Sequence, residues 1–340
     1  MNKLLPFLLL FAARPAAADS CTPSRVLVLL DKSSSMTADL AGMTKWDAAQ
    51  VALDRVATVY NDTIEIGLSI FPDPSECSPG HTLVAPARGT HDAIMAALGS
   101  PPPASGNWTP MAQSLDAAAA EPALGDASRR RFVLLITDGW QWCSPYDAST
   151  RFAPVDAVTR LAQAGIQTYV VGFGGEVDPL TLGRAAVAGG TALPGCDPTQ
   201  NDPAATNLCY YQAESPAALL SALMAIALQV SGEVCDGLDN DCDGVVDNGA
   251  TCPNGQMCRN GACVSPPPAP VPTPLPPGSD TSPNPPAGTP TPPPGEATDV
   301  SGCGCHVGGR PSASVVALVI AAAGFAAGRP RRTSGRRCRR

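Results

Sequence analysis

Histidine is nearly missing from this 340-residue chain: His81, His91 and His306 are the only three. None stands in a recognisable nucleophile motif, so hydrolytic chemistry built on a nucleophile and its base has no evident place. Basic charge is also scarce where it would matter. Lysine and arginine total 22, but 8 lie after residue 300 and 2 before residue 19, which leaves 12 basic against 30 acidic residues, a balance of −18, between residues 19 and 300. That excludes a nucleic-acid partner, which demands a basic footprint, and favours cations and basic or neutral ligands. A comfortable membrane span is lacking too. The C-terminal apolar stretch 313–328 reaches only about 24 Å as a helix, short of the roughly 30 Å apolar core of a bilayer.

Cysteine, by contrast, is abundant at 13 residues. Lys3, an apolar run over 4–13 and the small residues Ala16, Ala17 and Ala18 before Asp19 have the anatomy of a cleavable secretory signal over 1–18. A lipid-modification site at Cys21 is the alternative, but Ala18, Asp19 and Ser20 lack the large aliphatic residue it wants. In an exported chain the cysteines point to disulfides. Cys21, Cys77, Cys143, Cys196 and Cys209 fall in the first part of the chain, and Cys235, Cys242, Cys252, Cys258 and Cys263 in a later patch. Both counts are odd, so if all ten pair, at least one bridge crosses. Cys21 is the expected crossing residue, and Cys196 with Cys209 a second expected pair.

Composition divides the mature chain into an alternating strand and helix region over 21–231, a Cys- and Asp-rich module over 233–264, a Pro-rich linker over 265–300 and a tail over 301–340. In the first region 26–30, 132–136 and 169–171 are short continuous apolar runs, expected of strands covered on both faces. Ile64, Ile66, Leu68 and Ile70 alternate, which predicts a strand with one less buried face. Helical stretches at 46–60, 91–98, 111–120, 157–164 and 216–230 lie between. The alternation predicts an α/β fold, a doubly wound, mostly parallel sheet with helices on both faces. The linker has too many prolines and too few large apolar residues to form a core, and reads as a disordered, solvated stalk.

Strand 26–30 runs into Asp31, Lys32, Ser33, Ser34 and Ser35, where doubly wound sheets bind ligands. One carboxylate and two hydroxyls on alternate residues of a tight loop suit a hard, oxygen-preferring cation. Taken singly, Asp and Ser after a strand read as helix caps or turns. Here, however, the sequence resembles the von Willebrand factor A family, whose metal-ion-dependent adhesion site uses an Asp-x-Ser-x-Ser loop, a later Thr and a later Asp. Thr109 and Asp138 match these in order and at sensible separations. The resemblance implies that Ser33, Ser35 and Thr109 contact Mg2+, or Mn2+ in its place, while Asp31 and Asp138 act directly or through water. An open coordination position then accepts a carboxylate from a protein ligand. Trp108 stands where the family often has Gly, and Trp140 and Trp142 follow Asp138; these either face the ligand or pack.

In the module, Asp239, Asp241, Asp243, the Val245 carbonyl and Asp247 follow the ligand order of an EF-hand-like loop, and Ca2+ is the expected ion. Position 12 is Ala250 rather than a bidentate Glu, so the patch more closely resembles the Asp-Gly-x-Asp-Asn-Asp-Cys-Asp-Gly metal-binding repeat of secreted bacterial proteins. A solvated acidic loop stapled by cysteines is the plain alternative. The tail, with Cys303, Cys305, the short apolar segment and the terminal arginines, resembles the myxobacterial C-terminal surface-sorting tail, which implies delivery to the outer surface; a single-span anchor is the alternative. The sequence therefore predicts a non-enzymatic, cation-dependent surface adhesion protein with an extracellular or envelope protein ligand. The nearest alternative is an envelope scaffold using the same site, and a metal-dependent hydrolase stands further off.

Overall fold

The computed structural model describes residues 21–266. The expected signal, nearly all of the Pro-rich linker and the tail with Cys303, Cys305 and segment 313–328 lie outside the described residues. Among the described residues no helix is long and apolar enough to cross a membrane.

In chain order the elements are β1 (Ser24–Asp31), a small hairpin of β2 (Asp39–Leu40) and β3 (Met43–Thr44), α1 (Lys45–Tyr60), β4 (Ile64–Phe71), β5 (His81–Ala87), α2 (His91–Ala97), α3 (Met111–Ala118), β6 (Arg131–Thr137), α4 (Ala153–Gln163), β7 (Gln167–Phe173), α5 (Pro179–Ala188), β8 (Tyr211–Ala213), α6 (Pro216–Ser231), and a second hairpin of β9 (Met257–Arg259) and β10 (Ala262–Val264). Six strands form one sheet in the order β5-β4-β1-β6-β7-β8. All neighbours are parallel except the edge strand β5, which runs antiparallel to β4.

Alternation along β1 splits the core. Val26, Val28 and Leu30 pack with Trp46, Leu53 and Ile226 on the α1 and α6 side, while Leu27 and Leu29 pack with Leu115, Val158 and Leu182 on the α3, α4 and α5 side. Successive strand residues face opposite ways, so a strand covered on both faces is apolar throughout. α1 begins where the Thr44 side chain accepts the Asp47 N–H at 3.0 Å, an N-cap. Its Trp46, Ala49, Leu53 and Val56 are buried at helical spacing.

β4 departs from the half-buried strand expected of its alternation. It is an interior strand, buried along nearly its whole length. The alternation is one of size: a Cβ on Gly67 would lie 2.6 Å from Pro86 of β5, and Ser69, also buried, donates its hydroxyl to the His81 carbonyl at 3.0 Å. The small residues make room for the edge strand.

α5 was not foreseen, although Asp178 followed by Pro179 marks its start. The Asp178 carboxylate accepts Arg151 Nε at 2.7 Å, Arg151 Nη2 at 2.8 Å and the Thr181 hydroxyl at 2.6 Å. Burial alone raises its pKa, but the bonds from Arg151 and Thr181 outweigh that and hold the carboxyl below its ordinary value. A depressed folded-state pKa gives stability that is present above the unfolded pKa and is lost as pH falls through the folded one. Asp178→Asn should therefore cost about 1.5–3 kcal/mol at neutral pH. In denaturant melts the gap from wild type should narrow as pH falls below about 4; a gap that does not change with pH would show that the charge is irrelevant.

Candidate metal centre

β1 has β4 on one side and β6 on the other, so the chain changes direction across the sheet between β1 and β6. Such a switch point opens a crevice at the carboxyl ends of the two strands. Leu30 pairs with Ile136, which brings Asp31, the last residue of β1, level with Thr137 and Asp138 at the end of β6.

Both carboxylates are fully buried. Asp31 accepts the Ser33 N–H at 2.8 Å on Oδ1 and the Thr137 hydroxyl at 2.6 Å on Oδ2. Asp138 Oδ1 accepts the Ser35 hydroxyl at 2.7 Å and lies 3.5 Å from Ser33 Oγ. The two serine hydroxyls are 2.8 Å apart. Burial, and then the charge of Asp138, push the Asp31 carboxyl well above the ordinary carboxylate range. Ser34 holds the loop to its neighbour: its N–H donates to the Asn107 carbonyl at 3.1 Å, and its hydroxyl accepts the Asn107 N–H at 3.1 Å. Thr109 is buried and joined to Trp142 by a pair of backbone hydrogen bonds, at 2.9 and 3.0 Å.

Lys45 was not foreseen. Its Nζ donates to Asp138 Oδ2 at 2.7 Å, and both side chains are buried. The available signal was a lysine on the apolar face of α1, beside Trp46 and one helical turn before Ala49.

Ser33, Ser35, Thr109 and Gly139 open onto a cleft of about 450 Å³. Trp108, Trp140, Trp142 and Tyr146 also line it. Trp142 and Tyr146 stack at 4.4 Å with planes 7° apart, and Trp108 lies 6.3 Å from Trp142. The Cys77–Cys143 disulfide ties this wall together, and Trp108 donates its N–H to the Glu76 carbonyl at 3.0 Å. Trp140 and Trp142 keep 40% and 37% of their surface exposed, so they face the cleft and are not core residues.

A divalent cation fits this site. Two buried carboxylates, only one of them paired with an ammonium, stand beside the hydroxyls of Ser33, Ser35 and Thr109, and oxygen donors of this kind are what a hard cation takes.

In the module, carboxylate oxygens of Glu233, Asp239 and Asp241 lie within 4.8 Å of one another. Asp239 is 2% exposed, and its Oδ1 is buried without a hydrogen-bond partner among the described residues. Backbone N–H groups take up two of the carboxylates: Asp247 accepts those of Asp236 and Gly237, each at 3.0 Å, and of Gly261 at 3.1 Å, and Glu233 accepts those of Asn240, Asp241 and Asp247. Asp243 accepts the Val245 N–H at 2.8 Å and the Asn248 amide at 2.6 Å, and Val245 is exposed. Glu233, eight residues before Asp241, was missed because it lies outside the loop register. Cys21 bonds to Cys242, joining the module to the start of β1, and Cys196 bonds to Cys209. Cys235 pairs with Cys258 and Cys252 with Cys263.

With this geometry in place, residues 26–191 match the von Willebrand factor type A domain. The chain carries a type A domain. YwmC, an uncharacterised protein of Bacillus subtilis (strain 168), is 24% identical over 172 residues, covering 48% of this chain and 72% of that protein. Among solved structures, proximal thread matrix protein 1 of the mussel byssus, with a zinc-occupied metal-ion-dependent adhesion site, is 16% identical with a TM-score of 0.45, over 64% of this chain and 50% of that one. The pilus adhesin SpaC of Lactobacillus rhamnosus GG is 15% identical with a TM-score of 0.43, over 62% of this chain and 31% of that one. The chain thus spans about half the length of these solved proteins or less.

Proposed function

We propose that the protein is a cell-surface binding protein whose type A domain holds Mg2+, or Mn2+, through Asp31, Ser33, Ser35, Thr109 and Asp138, and through it a carboxylate of a protein ligand. The observation that carries this reading is the convergence of the Ser33 and Ser35 hydroxyls on Asp138 Oδ1, with Asp31 beside them, at the switch point of the sheet. When bound, the cation supplies a Lewis-acidic position for the ligand's carboxylate. The protein's own part is to orient the oxygens: Thr137 and the Ser33 N–H fix Asp31, Lys45 and the serines fix Asp138, and Asn107 holds the loop.

The role is binding rather than catalysis. His81 pairs with Asp73 and His91 with Asp54 and Asp92, and neither histidine lines the cleft. Five disulfides among the described residues support passage through an oxidising compartment. With the signal and sorting segments read from the sequence, they favour the outer surface.

Mg2+ titration calorimetry on the purified protein, followed by capture from its own envelope and from foreign surfaces with and without EDTA, tests the reading. A bound protein released by EDTA is the expected result; an own-envelope partner would make the protein a scaffold, and capture indifferent to EDTA would end the cation reading. The aromatic wall should contribute to the ligand alone. Trp142→Ala should weaken capture about tenfold, as loss of a large aromatic anchor does, and leave Mg2+ affinity unaltered. A shift in Mg2+ affinity would instead give Trp142 a role in shaping the cation loop.

For the module we propose Ca2+ held by Asp239 and Asp241 with Glu233, the orphaned Asp239 Oδ1 being the group that calls for a partner. Ca2+ should protect the amides of 233–247 from hydrogen exchange in wild type and not in Asp239→Asn; equal protection in both would leave the loop a plain acidic one.

A further inference from the structure

Lys45 is placed against ordinary preference twice over. It is the first residue of α1, where the helix dipole disfavours a cation, and it is 4% exposed, where an unpaired ammonium is costly. The chain has only three lysines, Lys3, Lys32 and Lys45. The fold makes a place for this one. Gly174 has a positive φ of 87°, and a Cβ there would lie 3.0 Å from Lys45 Cε and 3.2 Å from Nζ. Any side chain at 174 would press on the ammonium.

The division of labour on Asp138 is the informative feature. Oδ1 faces the two serine hydroxyls, while Oδ2 takes the ammonium. Lys45 therefore sits behind Asp138, on the oxygen turned away from the serines. The local formal charge of Asp31, Asp138 and Lys45 together is −1, where the two carboxylates alone would give −2.

We infer that Lys45 is a built-in counter-ion: it steadies the buried Asp138 carboxylate when no metal is bound and, by removing one unit of negative charge beside Asp31 and Asp138, keeps the site's hold on its divalent cation weak. Lys45 is thus a positioning residue that acts through Asp138. The inference rests on the cation reading above and adds that the site is set for exchange rather than for permanent occupancy. A metal held loosely is retained best when the ligand's carboxylate completes the negative charge, which links metal and ligand binding.

The test is Mg2+ titration calorimetry on wild type, Lys45→Met and Lys45→Gln, with melting temperatures in EDTA and in saturating Mg2+. Both neutral variants should bind Mg2+ about tenfold tighter or more, because a full charge close to the ion is gone. They should melt below wild type in EDTA and recover in Mg2+. A purely structural lysine would give lower stability with equal or weaker Mg2+ affinity, and that result in both variants overturns the inference while leaving the cation reading intact. If Lys45→Met cannot be purified without metal, the Lys45→Gln comparison decides. Wild type silent to Mg2+ with the neutral variants binding it would support the inference in its strongest form. Absence of binding in all three overturns both the inference and the cation reading.

Discussion

Asp138→Asn should abolish Mg2+ binding in practice, lowering affinity by about a hundredfold or more, and with it EDTA-sensitive capture of ligand. Groups that merely orient a metal ligand are worth about 10–100-fold in affinity, and Asp138 both orients the proposed site, bonded by Ser35 with Ser33 at 3.5 Å, and brings a full negative charge to it. The amide keeps shape and one acceptor oxygen but loses the charge a divalent cation needs. Asp138→Ala is the harsher change. It leaves Lys45 buried beside an empty place, and breaking a buried pair by removing one partner costs about 3–5 kcal/mol. Comparing the two variants separates metal loss from unfolding. Asn should melt below the metal-free wild type, because the buried Lys45 ammonium loses its counter-charge, and Ala lower still. Calorimetry showing Asp138→Asn within tenfold of wild type would remove Asp138 from the cation set.

Replacing both Cys21 and Cys242 with Ser should free the module while the type A domain stays folded. The bond joins residues 221 apart, and removing a native disulfide of a secreted domain costs about 2–5 kcal/mol. What remains at the junction is thin: Thr22 donates its N–H to the Asp239 carbonyl at 2.8 Å, and the Asn240 amide reaches the Thr22 hydroxyl at 3.4 Å. Asp239 and Asn240, both 2% exposed in the intact protein, should become accessible. Hydrogen exchange should rise across 233–247 with Mg2+ affinity at the type A site unaffected. Unaltered exchange in the module would mean that the hydrogen bonds suffice and the disulfide is redundant.

Much of this architecture was legible in the residues. The runs at 26–30, 132–136 and 169–171 are the middle of β1, β6 and β7, legible because a strand buried on both faces must be apolar at every position. β5 was not legible: its residues are mostly exposed or half-buried, and Pro86 breaks the strand pattern, as is tolerated at a sheet edge. β8 is only three residues long, too short to leave a period. The alternation in β4 was legible but misread, because a sequence records which residues are large and not which are covered.

The same division runs through the site. Asp31, Ser33, Ser35, Thr109 and Asp138 were named because the order of motifs resembles that of the von Willebrand factor A family, and the structure brings all five to one crevice at the strand ends. In the Asp-rich loop spacing names the carboxylates but not their partners: Asp243, Asp247 and Glu233 all accept hydrogen bonds from neighbouring donors, and Glu233 lies with Asp239 and Asp241 although it is outside the register.

The sequence by itself determined the α/β alternation and the fully apolar inner strands, because each depends on neighbours a few positions away, and its motif order named the five oxygen-bearing residues proposed here for a cation. Only the tertiary structure decided that Lys45, 93 residues before Asp138, is its partner, that Trp108, Trp142 and Tyr146 form one wall, and that Cys21 reaches Cys242. Charge pairing, ring stacking and disulfide bonding are set by distances across space, and those exist only once the sheet has brought distant segments together.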